Sequence, residues 1–263
     1  MVVQHNMQAA NTNRMLGKAA LSVSGSAEKL ASGYKVNRAA DDAAGLSISE
    51  KMRAQIAGLN QAVENAQDGI SLIQTAEGNM NEMHSILNRM ETLADKAAND
   101  VNATEDRTTI QDEMNQLKSE LDSIGTRAKY NGKDLSNFTG YLQVGANKGD
   151  DMKISVAVKV TVATVSVGSH SKAGATLSAV QAAIKSVSAQ RSQLGAIQNR
   201  LGYTVNSVSN YAENLQSAES RIRDTDMATE MTKYSSSNIV QQAAQSMLAQ
   251  ANQSTQGVLS LLG

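Results

Sequence analysis

The sequence contains no proline, no cysteine and no tryptophan, and it has only one phenylalanine and six tyrosines. Without cysteine the chain forms no disulfide bond, no reactive thiolate and no cysteine-ligated zinc site. Few aromatic side chains leave little material for a thick globular core. Because proline breaks helices, its absence from a chain rich in Ala, Ser, Gln, Leu and Met favours long, thin helical bundles.

No strong net charge or long apolar run is present either. The 24 basic and 25 acidic residues balance to a formal charge of −1, so no overall field attracts nucleic acid or an anionic membrane. No apolar run approaches the roughly 20 residues of a membrane span, and residues 1–16 lack the basic-then-apolar layout of a secretory signal. We therefore expect no nucleic-acid or membrane partner, and export by another route if the protein leaves the cell.

Apolar residues recur in alternating steps of three and four, which predicts coiled helices. The first run is Leu16, Ala20, Val23, Ala27 and Leu30. The second is Ile56, Leu59, Val63, Ala66, Ile70, Ile73, Ala76, Met80, Met83, Leu87, Met90, Ala94 and Ala97. In the second run an extra step of three after Ile73 predicts a stammer, a local overwinding of the coil. Its methionines are predicted to pack in the seam rather than to form an adaptable binding groove.

Two further helical runs follow. A shorter one carries Ile110, Met114, Leu117, Leu121 and Ile124. The longest contains Leu177, Val180, Ile184, Val187, Leu194, Leu201, Val205, Val208, Ala212, Leu215 and Ile222. Its length exceeds that of an ordinary globular helix several-fold, which indicates an elongated bundle.

Between these helices the period changes to two. Asn131-Gly132 predicts a tight turn, and the alternation from Met152 to Val162 predicts a strand paired with residues 141–144 across a turn from Gly145 to Asp150. The stretch from Gly168 to Gly174 predicts a flexible linker. The predicted fold is mainly α, a long antiparallel coiled-coil helical bundle with a small β-hairpin and with the N- and C-terminal helices paired.

The two ends of the chain carry little charge. After Lys233 no charged residue occurs in the last 30 positions, although apolar residues such as Ile239, Val240 and Met247 are frequent. An exposed helix of this kind aggregates or finds a partner. We therefore expect both ends to be buried together in an assembly, while the charged middle of the chain faces solvent.

No pattern of catalytic or metal-binding residues is present. His5, His84 and His170 are far apart, and none has metal-type spacing to another ligand. Asp41-Asp42 and Asp150-Asp151 lie in predicted turns, where aspartate is common, and adjacent carboxylates do not form the two-sided arrangement of a hydrolase. The sequence therefore predicts a structural protein without catalytic residues, metal or cofactor.

Both halves of the chain contain ordered stretches that point to one family. In the first half these are LASGYKVNRAADDAAGL at 30–46 and AQDGISLIQTAEG at 66–78. In the second half they are RSQLGAIQNRL at 191–201, LAQANQ at 248–253 and VLSLL at 258–262. These stretches resemble those of bacterial flagellins. Together with shorter matches, the resemblance covers nearly the whole chain and implies the subunit that polymerises into the flagellar filament for swimming motility.

The resemblance implies a segment order as well. Residues 1–41 and 224–263 would form paired core helices, 42–156 the central helices and hairpin, 157–176 a short replacement of the outer domain, and 177–223 the return helix. Polymerisation and core packing would then fall to a set of apolar residues in the terminal helices. The set comprises Met7, Leu16, Val23, Leu30, Val240, Met247, Leu248, Val258, Leu259 and Leu262.

Partners and location are also implied by the resemblance. Flagellins are exported unfolded through the hollow flagellum and polymerise outside the cell at its tip. Besides further copies of the chain, the implied partners are an export chaperone on the C-terminal helix, the hook-filament junction proteins and the filament cap. An intracellular coiled-coil scaffold is the alternative, and it would form stable dimers in place of helical polymers.

Many flagellins bind the Toll-like flagellin receptor of animal hosts through their central helices. By resemblance the contact residues here are Arg89, Leu93 and Glu113. Glu91 and Thr92 replace an Arg-Glu pair of recognised members, and the reversed charge at Glu91 disfavours such binding. A role as receptor ligand or adhesin is compatible with a filament, and Arg89 and Glu113 would also serve as contacts between subunits.

Overall fold

The computed structural model describes residues 6–162 and 165–260, with side chains described as far as Ser254. Five helices and four short strands follow one another along the chain. They are α1 (Met7–Ser32), α2 (Ala43–Ala98), α3 (Thr104–Arg127), β1 (Lys129–Tyr130), β2 (Lys133–Asp134), β3 (Phe138–Gln143), β4 (Asp151–Val156), α4 (His170–Arg223) and α5 (Met227–Ser260). The chain divides into two compact units, Met1–Ala54 with Asn214–Gly263, and Gln55–Glu213.

In the first unit, a capping residue at each end determines where α1 begins and ends. The Asn6 side chain accepts a hydrogen bond from the Ala9 amide, satisfying one of the free N–H groups at the helix start. Gly33 ends the helix with φ 75°, a left-handed conformation that glycine adopts without the strain of a Cβ. The cap at Gly33 explains why the predicted first run does not continue beyond Leu30.

A short backbone connection joins the segment after α1 to the segment before α5. Tyr34 forms an isolated antiparallel bridge with Asp224, and the Lys35 amide donates to the Arg223 carbonyl at 2.7 Å. The Arg223 guanidinium lies 4.6 Å from the centre of the Tyr34 ring and donates to Glu50 at 2.7 Å. These contacts hold the chain where it leaves one terminal helix and enters the other.

The second unit is built around one unbroken seam along α2. Its positions alternate in steps of three and four: Leu59, Ala62, Ala66, Gly69, Ile73, Ala76, Met80, Met83, Leu87, Met90, Ala94 and Ala97. The predicted stammer after Ile73 is therefore wrong, because Ala62 and Gly69 are buried where the pattern had suggested Val63 and Ile70. A Cβ at Gly69 would collide with Leu142 Cδ1 of the hairpin, so any other residue there would require the Leu142 side chain to move.

Helix α4 supplies the facing seam. Val180, Val187, Leu194 and Leu201 are buried as the spacing predicted. The helix begins at His170, so the predicted flexible linker from Gly168 to Gly174 is wrong over most of its length. Buried Ala173 and Thr176 belong to the same seam, but small or polar residues carry no apolar signal in the sequence.

Both predicted hairpin turns occur. Asn131 and Gly132 connect β1 to β2 with φ 48° and 76°. Strands β3 and β4 pair antiparallel with Tyr141 opposite Lys153. However, β4 ends at Val156, so the prediction of a strand reaching Val162 was too long.

The valine-rich segment after β4 packs into the core as an extended strap, defined here as residues 157–162 and 165–167. Val158, Val160, Val162 and Val167 are buried. The amide of Val158 donates to Leu135 O, and the Gln111 side chain binds both Val165 O and the Val167 amide. The strap thus supplies apolar side chains to a bundle that has few aromatic residues.

Candidate assembly surfaces

The paired terminal helices α1 and α5 run antiparallel. At one end the Asn6 side-chain amide donates to the Ala251 carbonyl at 3.0 Å, and further along the hydroxyls of Ser22 and Ser237 lie 3.1 Å apart. Their pairing agrees with the predicted fold.

The seam between these two helices consists largely of small and polar groups. On α1 the less exposed positions are Ala9, Thr12, Leu16, Ala19, Val23, Ser26 and Leu30. On α5 they are Tyr234, Ser237, Asn238, Gln241, Ala244, Leu248 and Ala251. The first run was thus predicted correctly at Leu16, Val23 and Leu30, but Ala19 and Ser26 are buried in place of Ala20 and Ala27. Because α5 gives few apolar side chains to the seam, its other apolar side chains lie elsewhere.

Those side chains are exposed, and together with the exposed ones of α1 they form what we call the apolar face. Its members are Met7, Met15, Leu21, Met227, Met231, Ile239, Val240 and Met247. Ile239, Val240 and Met247 are 66%, 55% and 61% exposed on a helix whose last charged residue is Lys233. Soluble monomers seldom expose apolar residues so densely, and such patches mark interaction sites.

The predicted polymerisation residues divide into two groups in the structure. Leu16, Val23, Leu30 and Leu248 are half-buried in the seam between α1 and α5. Met7, Val240 and Met247 belong to the apolar face. For Val258 and Leu259 only the helical backbone is described, and Leu262 lies outside the described residues.

Sequence reasoning missed Met15, Leu21, Met227 and Met231 as members of the apolar face. The available signal was their position outside the three-four register of the seam. Apolar residues that do not fit the seam of a coiled coil are therefore candidates for contacts with other molecules.

Helix α5 begins at a charged cap. Asp226 accepts hydrogen bonds from the Thr229 hydroxyl and from the amides of Thr229 and Ala228. These bonds, the Thr229 hydroxyl first, lower the pKa of Asp226 from its ordinary value of 3.8, because they stabilise the ionised carboxylate. The cap supplies negative charge at the positive end of the helix dipole.

The structure brings together two of the three predicted receptor-contact residues. The Arg89 guanidinium donates to Glu113 at 2.8 and 3.0 Å, and both side chains are about half exposed on α2 and α3. Leu93 is only 4% exposed and packs in the core of the second unit. Gln181 of α4 donates to Glu91 of α2 at 3.0 Å, so this part of α2 carries an ion pair and a hydrogen-bonded carboxylate.

Neither metal-binding nor membrane-spanning features occur in the described parts of the chain. No three or more His, Asp or Glu side chains gather there as potential metal ligands. None of the helices in residues 6–162 and 165–260 has a stretch both long and apolar enough for a bilayer. The helical surfaces are therefore the features to compare with known proteins.

Comparisons with known proteins match the chain almost end to end. The profile described as the bacterial flagellin N-terminal helical region matches residues 3–140, and that of the C-terminal helical region matches residues 177–262. A flagellin from Halalkalibacterium halodurans is 47% identical over the whole of both chains. The chain belongs to the bacterial flagellin family.

Other flagellar proteins agree with this assignment to the flagellins. A flagellar filament 33 kDa core protein from Treponema phagedenis is 43% identical over the whole of both chains. The crystal structure of Bacillus cereus flagellin superimposes with a TM-score of 0.51 at 25% identity, covering 59% of this chain and 94% of that chain. The predicted family and fold class are confirmed. As a flagellin, the chain is a structural subunit of the extracellular flagellar filament and not an enzyme.

Proposed function

We propose that copies of this chain polymerise through the apolar face of α1 and α5. The observation that carries the proposal is the exposure of Ile239, Val240 and Met247 on the part of α5 that follows its last charged residue, Lys233. Removing each of these side chains from water stabilises a contact by about 1.5–3 kcal/mol before entropy costs are subtracted. The face therefore provides a strong driving force for association.

A second copy of the chain is the occupant that fits this face best. Identical charged surfaces repel when they meet, whereas from Tyr234 onward α5 offers only apolar and uncharged polar groups. Copies in a helical polymer meet repeatedly through the same surfaces, so a modest contact is multiplied along the assembly. Membership of a filament-forming family supports the same occupant.

In this proposal the ten predicted residues have two roles. Leu16, Val23, Leu30 and Leu248 hold α1 against α5, while Met7, Val240 and Met247 contact neighbouring copies. Val258, Leu259 and Leu262 extend the apolar contacts at the end of the chain. We further propose that 1–41 and 224–263 form the filament core, that 42–156 and 177–223 form the next shell, and that 157–176 replaces an outer domain.

Seeded polymerisation tests the proposal. We expect Val240→Lys to abolish growth on short filament fragments, seen by electron microscopy and sedimentation, because the filament would have to bury an unpaired charge. The matched control is Val101→Lys, which places the same charge on another exposed apolar side chain, 88% exposed in the second unit. Deleting residues 234–263 should also abolish growth while the second unit stays folded. Filaments of unchanged lattice from the Val240→Lys variant or from the chain without residues 234–263 would contradict the proposal.

We also propose export in an unfolded state, with a chaperone bound to the C-terminal helix and with junction and cap proteins at the filament ends. Lack of cysteine and proline suits threading through a narrow channel, since neither disulfides nor slow prolyl isomerisation delays refolding. Fusing a domain that resists unfolding to the chain should stop its secretion, whereas fusing a destabilised variant of the same domain should not. Equal secretion of both fusions would contradict export in an unfolded state.

Finally, we propose that the monomer is a ligand of the host Toll-like flagellin receptor through the surface around Arg89 and Glu113. Both side chains are accessible, and Leu93 beneath them would support the surface rather than contact the receptor. Arg89→Ala should weaken saturable receptor binding about tenfold, as expected for loss of a charged contact. Lys185→Ala on α4 is the control, and an equal loss in the control would argue against a specific site.

A further inference from the structure

The methionines of this chain are divided sharply between exposed and buried positions. Those on α1 and α5, namely Met7, Met15, Met227, Met231 and Met247, are all 48–75% exposed. Those in the second unit, namely Met80, Met83, Met90, Met114 and Met152, are all at most 3% exposed. Among the described residues only Met52 is intermediate. The thioethers open to solvent therefore lie on the apolar face.

We propose that the five exposed methionines are an oxidation site through which peroxide prevents the free subunit from assembling. The inference rests on the proposed role of the apolar face in polymerisation. It adds a chemical modification, the residues that carry it and its consequence for assembly. The buried methionines are the internal reference, since they share the chemistry but not the exposure.

The reaction is an oxygen transfer to sulfur. A lone pair of the thioether attacks one oxygen of hydrogen peroxide, the O–O bond breaks, and hydroxide leaves. The hydroxysulfonium intermediate then gives its proton to the hydroxide, yielding methionine sulfoxide and water. Each sulfur is oxidised by two electrons and one peroxide is reduced. Access of the peroxide to the sulfur decides the rate, so the 48–75% exposed side chains react before the buried ones.

A sulfoxide changes what the apolar face can bury. The side chain gains a strongly polar oxygen that is hydrated in the free subunit and must be desolvated in a contact. Because Met231 and Met247 flank the exposed Ile239 and Val240 on α5, the polar oxygens would lie among the side chains that favour association. The same change recurs in every copy, so growth is impaired at each addition.

Assembly should in turn protect these residues. In the free subunit the five sulfurs are open to peroxide, whereas contact between copies would cover them. Subunits oxidised before assembly are therefore excluded, and subunits already in a filament are shielded. Slower oxidation in filaments than in free subunits would show that these methionines lie on the contact face. General oxidation of exposed methionines would proceed equally in both forms.

The test treats free subunits and preformed filaments of the full chain with hydrogen peroxide and maps sulfoxides by peptide mass spectrometry. In the free subunit we expect oxidation at Met7, Met15, Met227, Met231 and Met247 first, with at least about a tenfold rise in the critical concentration for seeded growth. In filaments we expect those five positions to oxidise much more slowly. Methionine sulfoxide reductases A and B together should restore growth of the oxidised subunit.

Two variants make the result specific. In the first variant all five exposed methionines are changed to leucine. Peroxide should leave its critical concentration nearly unchanged, even if the substitutions themselves shift the critical concentration of the untreated variant. Met152→Leu, a buried control in β4, should keep the full peroxide effect. Equal oxidation of buried and exposed methionines, unhindered growth of the oxidised subunit, or no recovery after complete reduction would each overturn the inference. Failure of untreated subunits to polymerise would instead contradict the proposed function.

Discussion

Small residues decide how closely the helices of this protein approach one another. Ala62 and Gly69 occupy seam positions of α2 at which a pattern of large apolar residues had favoured their neighbours. In the paired terminal helices Ala19 and Ser26 have the same role. A buried small residue contributes almost nothing to the periodicity of apolar residues. Sequence reasoning therefore identifies the large seam residues but assigns the positions of the small ones to a neighbour one residue away.

Leu194 tests the seam at a single large residue. It is 2% exposed on α4, so Leu194→Asp should lower the free energy of unfolding by about 3–5 kcal/mol through loss of packing and burial of an unpaired carboxylate. Urea denaturation followed by circular dichroism measures the change. Ser192→Asp, on the exposed side of the same turn, should cost little. Equal stability of the Leu194 variant and the wild type would show that the seam register is different.

The cap at Asp226 gives a pH dependence to the start of α5. Because the pKa of Asp226 is lowered in the folded state, its stabilisation is complete above the ordinary value of 3.8 and is lost as the pH falls through the lower folded value. Asp226→Ala should therefore speed amide exchange in the first turn of α5 at neutral pH, and the difference from wild type should shrink below pH 3.8. Asp122→Ala, an exposed mid-helix change, is the control. A difference that persisted undiminished in acid would exclude the carboxylate as its cause.

At the scale of elements, the strap supplies buried apolar side chains to the core of the second unit, where a further helix or aromatic residues could have supplied them. Its buried valines Val158, Val160 and Val162 alternate with more exposed residues, as in a strand, which explains why the sequence predicted a strand as far as Val162. The backbone finds only limited pairing with residues 135–136 after β4 ends. The alternation with a period of two correctly predicted an extended backbone. It could not predict that no long partner strand among the described residues lies beside this segment, because pairing depends on other parts of the chain.

Gln111 anchors the end of the strap. Its side chain donates to Val165 O at 3.0 Å and accepts from the Val167 amide at 2.7 Å. Gln111→Ala should lower the free energy of unfolding by about 1–2 kcal/mol, because two partly buried hydrogen bonds are lost. Faster hydrogen exchange at the Val167 amide is the direct measurement, with Asp112→Ala as the exposed neighbour for comparison. Unchanged exchange at Val167 would mean that the strap is held by its valines alone.

For the whole molecule, the two units differ in how much of their apolar surface is covered. The second unit buries its methionines and most of its leucines and valines in one core, whereas the first exposes eight large apolar side chains in the described residues of α1 and α5. A paired helix that uses small and polar residues for its own seam keeps the large ones for other molecules. In the proposed filament, neighbouring copies would cover the apolar side chains that the first unit leaves exposed.

The salt dependence of polymerisation follows from this uncharged face. Ammonium sulfate should lower the critical concentration strongly, because excluded salts strengthen apolar burial. Sodium chloride at equal ionic strength should change it by less than about twofold, since few charges lie on the contact and screening acts only on charges. Sedimentation of filaments across both salt series measures the effect. A steep dependence on sodium chloride would indicate that charged residues of the second unit dominate the contacts.

The sequence by itself determined the helical class, the two hairpin turns, the large seam residues and the family, because these depend on periodicity, turn chemistry and long ordered matches. It also located the uncharged C-terminal segment. Only the tertiary structure decided which apolar residues of that segment are exposed, that Leu93 is buried while Arg89 and Glu113 are accessible, and that the strap packs into the core. The reason is physical: burial depends on what lies opposite a residue in space, and small seam residues such as Gly69 leave no apolar signal.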